Sequence, residues 1–344
     1  MQAYRLLAGE PYRLDIRDIP TPTPAPDEVL LRIRAAGLNY LDLMVAWGRF
    51  GDARDGQTPF VPGTDGAGEI VAVGALAQRP EAGGWQVGER VIAGSIVDWH
   101  DGRLTAGNSA RLRGVTMPGS LATYAVVPAS ALVRIPDALS FAEAATLPIA
   151  ATTAWNAIVT GGVRPGSTVV LRGTGGVSLF ALQYAKAAGA RVIITSSSDE
   201  KLARAKALGA DVLIHYRRQP QWDQAVLDAT EGRGADLIVE TVGGPSFAQS
   251  INAAAIGASL YVVGFVGGME LTIPALPVMV KTLRIIGSQT GSTAQLRDAV
   301  SALSAAGIAP VIDRVFPFDA AADAYRYLAA GGHFGKTIIS GAPA

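Results

Sequence analysis

The chain has 344 residues, enough for roughly two domains at ~150 residues each. Its 29 basic and 29 acidic residues cancel, and only 17% of positions are charged, which argues against nucleic-acid binding, since that needs a basic face. It contains no cysteine, so disulfides, thiolate catalysis and any cysteine-held zinc are excluded too. Hydrophobic residues make up 49% of the chain, enough for a large core, yet no uninterrupted apolar run reaches the ~18 residues of a membrane span. Met1–Leu6 shows no basic stretch ahead of an apolar one, so a cytoplasmic protein without a secretory leader is expected.

Residues 1–125 alternate short apolar runs with Pro and Gly. Val29–Arg34, Gly68–Gly74 and Arg90–Ala93 predict strands. Pro20, Pro22, Pro24 and Pro26 make a stiff extended connector, and Gly51–Thr58 and Asp98–Gly119 read as loops. From about Ser140 strands alternate with helices. Helices are predicted at Phe141–Thr146, Ala151–Val159, Ser178–Ala188, Asp199–Leu208 and Trp222–Thr230. Strands are predicted at Thr168–Leu171, Arg191–Thr195, Val212–Ile214, Asp236–Glu240, Leu260–Val263 and Leu283–Gly287. This alternation implies a parallel, doubly wound α/β sheet. Ser292–Gln295 is a capping box for a helix that Gly307 stops, Asp319 is read as the cap of a final helix, and Lys336–Ile339 closes the chain as a strand packed back on the first part.

Within that alternation, Gly173-Thr174-Gly175-Gly176-Val177-Ser178 follows the apolar run Val169–Leu171 and opens a helix. Strand, glycine turn and helix are in the order that a dinucleotide pyrophosphate needs: the glycines allow the tight turn and close approach, and the helix N-terminus supplies free N–H groups. An NAD-preferring site places an acid about 20 residues past the glycines, against the ribose 2′-hydroxyl. Here Ser196-Ser197-Ser198 stands there, with Lys201 nearby and Arg217 and Arg218 beyond. Hydroxyls and a lysine accept a 2′-phosphate where a carboxylate repels it, so NADPH is the expected cofactor. The other reading is that the serines cap the helix from Asp199 and Lys201 is a solvated first-turn residue.

Ala35–Asp42, Pro62–Gly68, Ala145–Pro148 with Thr152–Trp155, Ile286–Ser288 and Gly335–Thr337 together resemble landmarks of the medium-chain dehydrogenase/reductase superfamily, in its zinc-free quinone oxidoreductase-like branch. The resemblance covers nearly the whole chain. It implies a GroES-like, mostly-β catalytic domain over residues 1–128 and 289–344, and a Rossmann NADP(H)-binding domain over residues 129–288. It also implies a homodimer formed near Val278–Lys281, at an edge of the sheet.

In the zinc members of that superfamily the metal is held at positions matched here by Asn39, Thr64 and Ile149. Neither thiolate nor imidazole is among them, and His100, His215 and His333 lie outside these segments, so no metal is expected. Without a Lewis acid, hydride from NADPH suits acceptors that spread the resulting charge, namely quinones and α,β-unsaturated carbonyls. The resemblance puts Asn39 and Tyr40 toward the nicotinamide as candidate donors. Tyr40 is either a proton source or a wall aromatic, and Asp42 either orients neighbours or caps the next helix. Thr153 is implied at the nicotinamide half; Val242, Gly264, Phe265 and Ser288 line strand ends; Tyr216 stacks at the adenosine end or is a surface tyrosine; Lys336 touches a phosphate or solvent. Trp47, Phe50 and Trp99 are candidate pocket walls. Competing functions are a nucleotide-binding scaffold or redox sensor with little catalysis, and a residual alcohol dehydrogenase.

Overall fold

A computed structural model describes residues 1–6, 13–50 and 60–342, and these divide into two units. One holds residues 1–152, 291–301 and 309–344; the other holds 153–290 and 302–308. The loop expected at Gly51–Thr58 lies outside the described residues.

In chain order the first unit contains β1 (Gln2–Leu6), β2 (Leu14–Asp18), β3 (Glu28–Leu38), α1 (Tyr40–Ala46), β4 (Asp65–Val73), β5 (Arg90–Ala93), β6 (Tyr124–Pro128), β7 (Leu132–Arg134) and α2 (Phe141–Ala144). A π-helical turn, Leu147–Ala151, leads into α3 (Thr152–Thr160). The sheet order is β14 (Ile312–Phe316), β15 (Lys336–Ser340), β3, β4, β5, β7, with β6 also on β3 and β1–β2 a separate ribbon. β3 is central because it is apolar on both faces: Val29, Leu31 and Ile33 pack into one buried cluster, Ala36 and Leu38 into another. Leu38 lies opposite Thr337 and Gly37 opposite Asp65, so the end of β3 and the starts of β4 and β15 meet at one place. Gly37 is required there, since a Cβ would lie 2.2 Å from the Ala145 carbonyl oxygen. That contact sets the Ala145 carbonyl against β3. α10 (Ala321–Ala329) buries Tyr325 and Leu328 in the same core.

The second unit contains β8 (Thr168–Arg172), α4 (Gly176–Ala187), β9 (Arg191–Ser196), α5 (Asp199–Ala207), β10 (Val212–His215), α6 (Trp222–Ala229), β11 (Ala235–Glu240), α7 (Phe247–Ala253), β12 (Ala254–Val262), α8 (Ala275–Val280) and β13 (Arg284–Gly287). All pairings are parallel, in the order β10-β9-β8-β11-β12-β13. Val169–Leu171, Val192–Ile194 and Leu237–Val239 are fully buried, as strands covered on both faces must be. The order reverses between β8 and β11, so a crevice opens beyond the carboxyl ends of those two strands. α9 (Thr293–Ala305) begins at the predicted capping box, with Ser292 and Gln295 exchanging side-chain and backbone bonds at 2.9 and 3.2 Å.

Two expectations differ from the structure, and two helices carry no sequence signal. Asp319 does not cap the last helix: it lies inside a 3-10 turn, and Ala320 is the cap residue. The first unit extends past residue 128, because β7 pairs with β5 and α2 packs on β3 and β4. α7 and α8 were not marked in the sequence, since they are short and carry no capping signal. No described helix is long and apolar enough to cross a membrane.

Candidate active site and nucleotide site

The glycine turn lies where the sequence places it. Gly173 has φ +84°, with open space where a Cβ would point. α4 starts at Gly176, and its cap residue, Gly175, offers no side chain, so no side-chain group competes for the first N–H donors. Such a turn and an uncapped helix start fit a pyrophosphate. The turn is held from behind. Ser178 Oγ donates to the Arg172 carbonyl at 3.1 Å and Thr241 Oγ1 donates to the same oxygen at 2.5 Å. The buried Arg172 guanidinium meets Glu240 at 3.2 Å, Ser250 at 3.1 Å and Ser246 at 3.3 Å, and lies 4.0 Å over the Trp222 ring. Burial holds its pKa below the usual guanidinium value, with Glu240 only partly opposing. Glu240 Oε1 accepts the Val242 and Gly243 amides at 2.8 and 3.0 Å, which fixes the loop after β11. Sequence reasoning missed this pair; its one local signal is a charged residue at the end of each of two apolar strands.

The next loop follows β12. Gly264 donates to the Glu240 carbonyl at 3.2 Å, and a Cβ on it would lie 2.6 Å from the Thr241 oxygen. The loops bearing Val242, Gly264 and Phe265 therefore pack backbone on backbone, and Ser288 follows β13 with its amide on the Val262 carbonyl at 3.0 Å. Thr153 is buried in α3. At the end of β9, Ser196 is buried and Ser197 half-buried, while Ser198 caps α5 by accepting the Lys201 amide at 3.3 Å. Of the three serines, then, one has the capping role. Tyr216 is exposed at the adjacent strand end, its amide on the Ser196 carbonyl at 3.0 Å. Arg218 pairs instead with Asp199, above a groove of about 470 Å³ between α5 and β10, which no glycine-turn residue lines.

In the first unit, the residues at the expected metal-ligand positions form a closed polar cluster. Asn39 Nδ2 donates to Thr64 Oγ1 at 3.0 Å and to Asp65 Oδ2 at 2.9 Å. Both amide protons are therefore used inside the unit, which corrects the reading of Asn39 as a donor to substrate. Asp42 accepts the Asn39 amide at 2.7 Å, as the box that starts α1, and takes the Thr64 amide and hydroxyl at 2.9 and 3.0 Å. Of its two readings, capping and orienting both hold, and it is sealed from solvent. Burial pushes its carboxyl up to about 6, with hydrogen bonds from Asn39 and Thr64 opposing. Burial also raises Asp65, against Lys336, Asn39 and the Ile149 amide.

Lys336 is corrected as a phosphate ligand. Its ammonium is buried, donating to Leu38 O at 2.7 Å and Asn39 Oδ1 at 2.6 Å, and lies 3.4 Å from Asp65 Oδ2. Its three N–H bonds all have acceptors within this unit. Tyr40 is half-buried and meets Trp47 edge-on, ring centroids 5.8 Å apart. Trp99 is a core residue whose Nε1 donates to Gly102 O at 2.9 Å, not a pocket wall. Arg113, which no sequence signal singled out, is fully buried; its Nη2 donates to Ser120 at 2.9 Å, and burial lowers it to about 10.

Family models match both halves: an alcohol dehydrogenase GroES-like domain over residues 25–137 and a zinc-binding dehydrogenase over residues 176–305. A zinc-type alcohol dehydrogenase-like protein of Schizosaccharomyces pombe is 42% identical over 91% of each chain. The chain belongs to the medium-chain dehydrogenase/reductase superfamily. As a member of it, the chain is an oxidoreductase with a nicotinamide cofactor. Solved members include an NAD-dependent alcohol dehydrogenase, 36% identical with a TM-score of 0.90 over 99% of this chain and 100% of that one. Another is the 2-octenoyl-CoA carboxylase reductase CinF in complex with NADP and 2-octenoyl-CoA, 25% identical with a TM-score of 0.87 over 98% and 87%.

The zinc that the second family model's name implies does not fit this donor set. Asn39, Thr64 and Ile149 offer no thiolate or imidazole, and no group of three or more His, Asp or Glu residues able to hold a metal exists among the described residues.

Proposed function

We propose that this protein is a zinc-independent, NADPH-dependent reductase of quinones or α,β-unsaturated carbonyls. The observation that carries the reading is that Asn39 and Thr64, at metal-ligand positions, spend their hydrogen bonds on one another and on Asp42, Asp65 and Lys336. With no Lewis acid to polarise an isolated carbonyl or alkoxide, hydride acceptance falls to substrates that delocalise charge. CinF, a relative whose complex contains an enoyl thioester, is consistent with an activated C=C acceptor.

In this reading the Gly173–Val177 turn and the start of α4 bind the pyrophosphate. Ser196, Ser197 and Lys201 take the 2′-phosphate and Tyr216 stacks on the adenosine end. Val242, Gly264, Phe265, Ser288 and Thr153 line the path of the dinucleotide. When bound, the reduced nicotinamide supplies the hydride. The acceptor gains that hydride at carbon and one proton at oxygen or the neighbouring carbon. With both Asn39 protons committed, Tyr40 is the remaining candidate for the donor to the developing enolate oxygen. A second copy of the chain is proposed to pair along the edge strand β13, beside the exposed Leu276, Met279 and Val280 of α8, in a cytoplasmic homodimer.

One observation favours a second reading. The closed hydrogen bonding of Asn39 leaves little evident acid–base machinery, as in a nucleotide-binding scaffold or redox sensor. NADPH and NADH oxidation with a panel of quinones, enals and enones separates the two. The reductase reading expects turnover with at least one class and NADPH preferred. Tight NADPH binding without oxidation by any acceptor would leave the scaffold.

A further inference from the structure

Mutual neutralisation does not explain why Arg172 and Glu240 are buried together, since a well-packed apolar pair is often as stable or more so. What the pair adds is direction. A guanidinium can only donate, and a serine hydroxyl carries one proton. Arg172 Nη1 donates to Ser250 Oγ at 3.1 Å, so the Ser250 proton goes to Glu240 Oε2. Arg172 Nη2 donates to Ser246 Oγ at 3.3 Å, so the Ser246 proton goes to the Gly243 carbonyl, at 3.0 Å. With Oε2 turned to Arg172, Glu240 Oε1 takes the Gly243 amide at 3.0 Å. One guanidinium therefore sets Gly243 from both sides, through Glu240 at its N–H and through Ser246 at its carbonyl. Gly243 has φ +67° and is bridged to Gly268, in the loop that carries Gly264 and Phe265. The main chain of Arg172 reaches the other loop: its carbonyl holds Ser178, in the first turn of α4, and Thr241.

We propose that Arg172 is a positioning residue for the whole dinucleotide: it ties the glycine turn after β8 to the loop after β11, so that the nicotinamide half is received in register with the anchored adenosine half. Its carbonyl sets the turn and its guanidinium sets the Val242–Gly243 loop, so neither can shift without the other. Trp222, 4.0 Å under the guanidinium, holds the plane of the fork from α6. The proposal rests on placing the pyrophosphate at Gly173–Val177 and is independent of the acceptor and of the choice between NADPH and NADH.

The test needs no turnover. Arg172→Lys keeps the charge beside Glu240 but loses the planar fork that reaches Glu240, Ser246 and Ser250 together. The reduced dinucleotide that binds tighter, NADPH or NADH, is titrated by its fluorescence. Its adenosine half, adenosine 2′,5′-bisphosphate or AMP, is titrated by calorimetry. Arg172→Lys is expected to raise Kd roughly tenfold for the dinucleotide and less than about twofold for the adenosine half. Ser246→Ala, which cuts only the link to the Gly243 carbonyl, moves the same way, and added to Arg172→Lys it costs less than the sum of the two. Should the lysine variant not fold, Arg172→Met/Glu240→Leu takes its place, with the same split expected. Equal weakening of both ligands, or weakening of neither, would overturn the proposal. Gly173→Ala separates this from the placement of the nucleotide, because it weakens both ligands if the turn holds the phosphates. If it weakens neither, the placement falls and the proposal with it; if it weakens both while Arg172→Lys changes nothing, the proposal alone falls.

Discussion

The Asp42 carboxyl gives a pH dependence whose sign and size follow from its surroundings. Burial raises it from its ordinary value of 3.8 to about 6. The folded chain then keeps this proton at pH values where the unfolded chain has lost it. Unfolding releases a proton between those two values, so this contribution to stability is fully present below about pH 4 and is lost as pH rises through about 6. The whole shift from 3.8 to about 6 corresponds to about 3 kcal/mol. Between pH 7 and pH 5 the part recovered is about 1.3 kcal/mol, more stable at pH 5. Asp65 is raised by burial too and acts in the same direction, but it is common to both proteins compared below. Asp211 and Asp236 are held below 3.8 by Lys186 and Arg233, so their contributions fade only at lower pH, outside this window. Urea titrations of the wild type and Asp42→Asn at pH 5, 6 and 7 isolate the effect. The wild type is expected to gain about 1.3 kcal/mol relative to the variant on going from pH 7 to 5. Parallel curves, or a wild type that gains with rising pH, would refute the argument.

Gly173→Ala places a side chain at φ +84° and puts a methyl in the open space before the turn; about 1–2 kcal/mol of stability is lost and NADPH affinity, followed by fluorescence titration, drops roughly tenfold or more. Ser197→Asp with Lys201→Ala is expected to raise the KM for NADPH far more than for NADH, and equal losses would remove these residues from 2′-phosphate reading. Glu240→Ala strands the buried Arg172 and frees the Val242–Gly243 loop; about 3–5 kcal/mol is lost in denaturant titrations, and Arg172→Met/Glu240→Leu is milder than the single change.

The alternation of apolar runs and amphipathic segments made the parallel sheet legible, because buried strands must be continuous apolar runs and their crossovers must be helices. The glycine turn was legible for the same reason: its backbone geometry admits few residues. That Asn39, Thr64 and Ile149 offer neither thiolate nor imidazole could also be read, since residue types need no fold to be seen. Sequence could not say where Asn39 and Lys336 spend their hydrogen bonds. Asn39 and Lys336 are brought together only by the pairing of β3 with β15, a long-range register with no local signature. Asp319 failed as a cap because its spacing from the helix was misjudged by one residue, and capping depends on that spacing. Arg172 and Glu240 were likewise silent, as a charged residue at the end of an apolar strand looks like a solvated one until the neighbouring strand is placed.

The central claim is hydride transfer to a conjugated acceptor without a metal. It is tested most directly by NADPH oxidation with an enone or quinone, using protein dialysed against chelator and assayed for metal content. The account predicts undiminished turnover at negligible zinc and no gain on adding zinc. Turnover that appears only with zinc, together with oxidation of a simple alcohol, would contradict it.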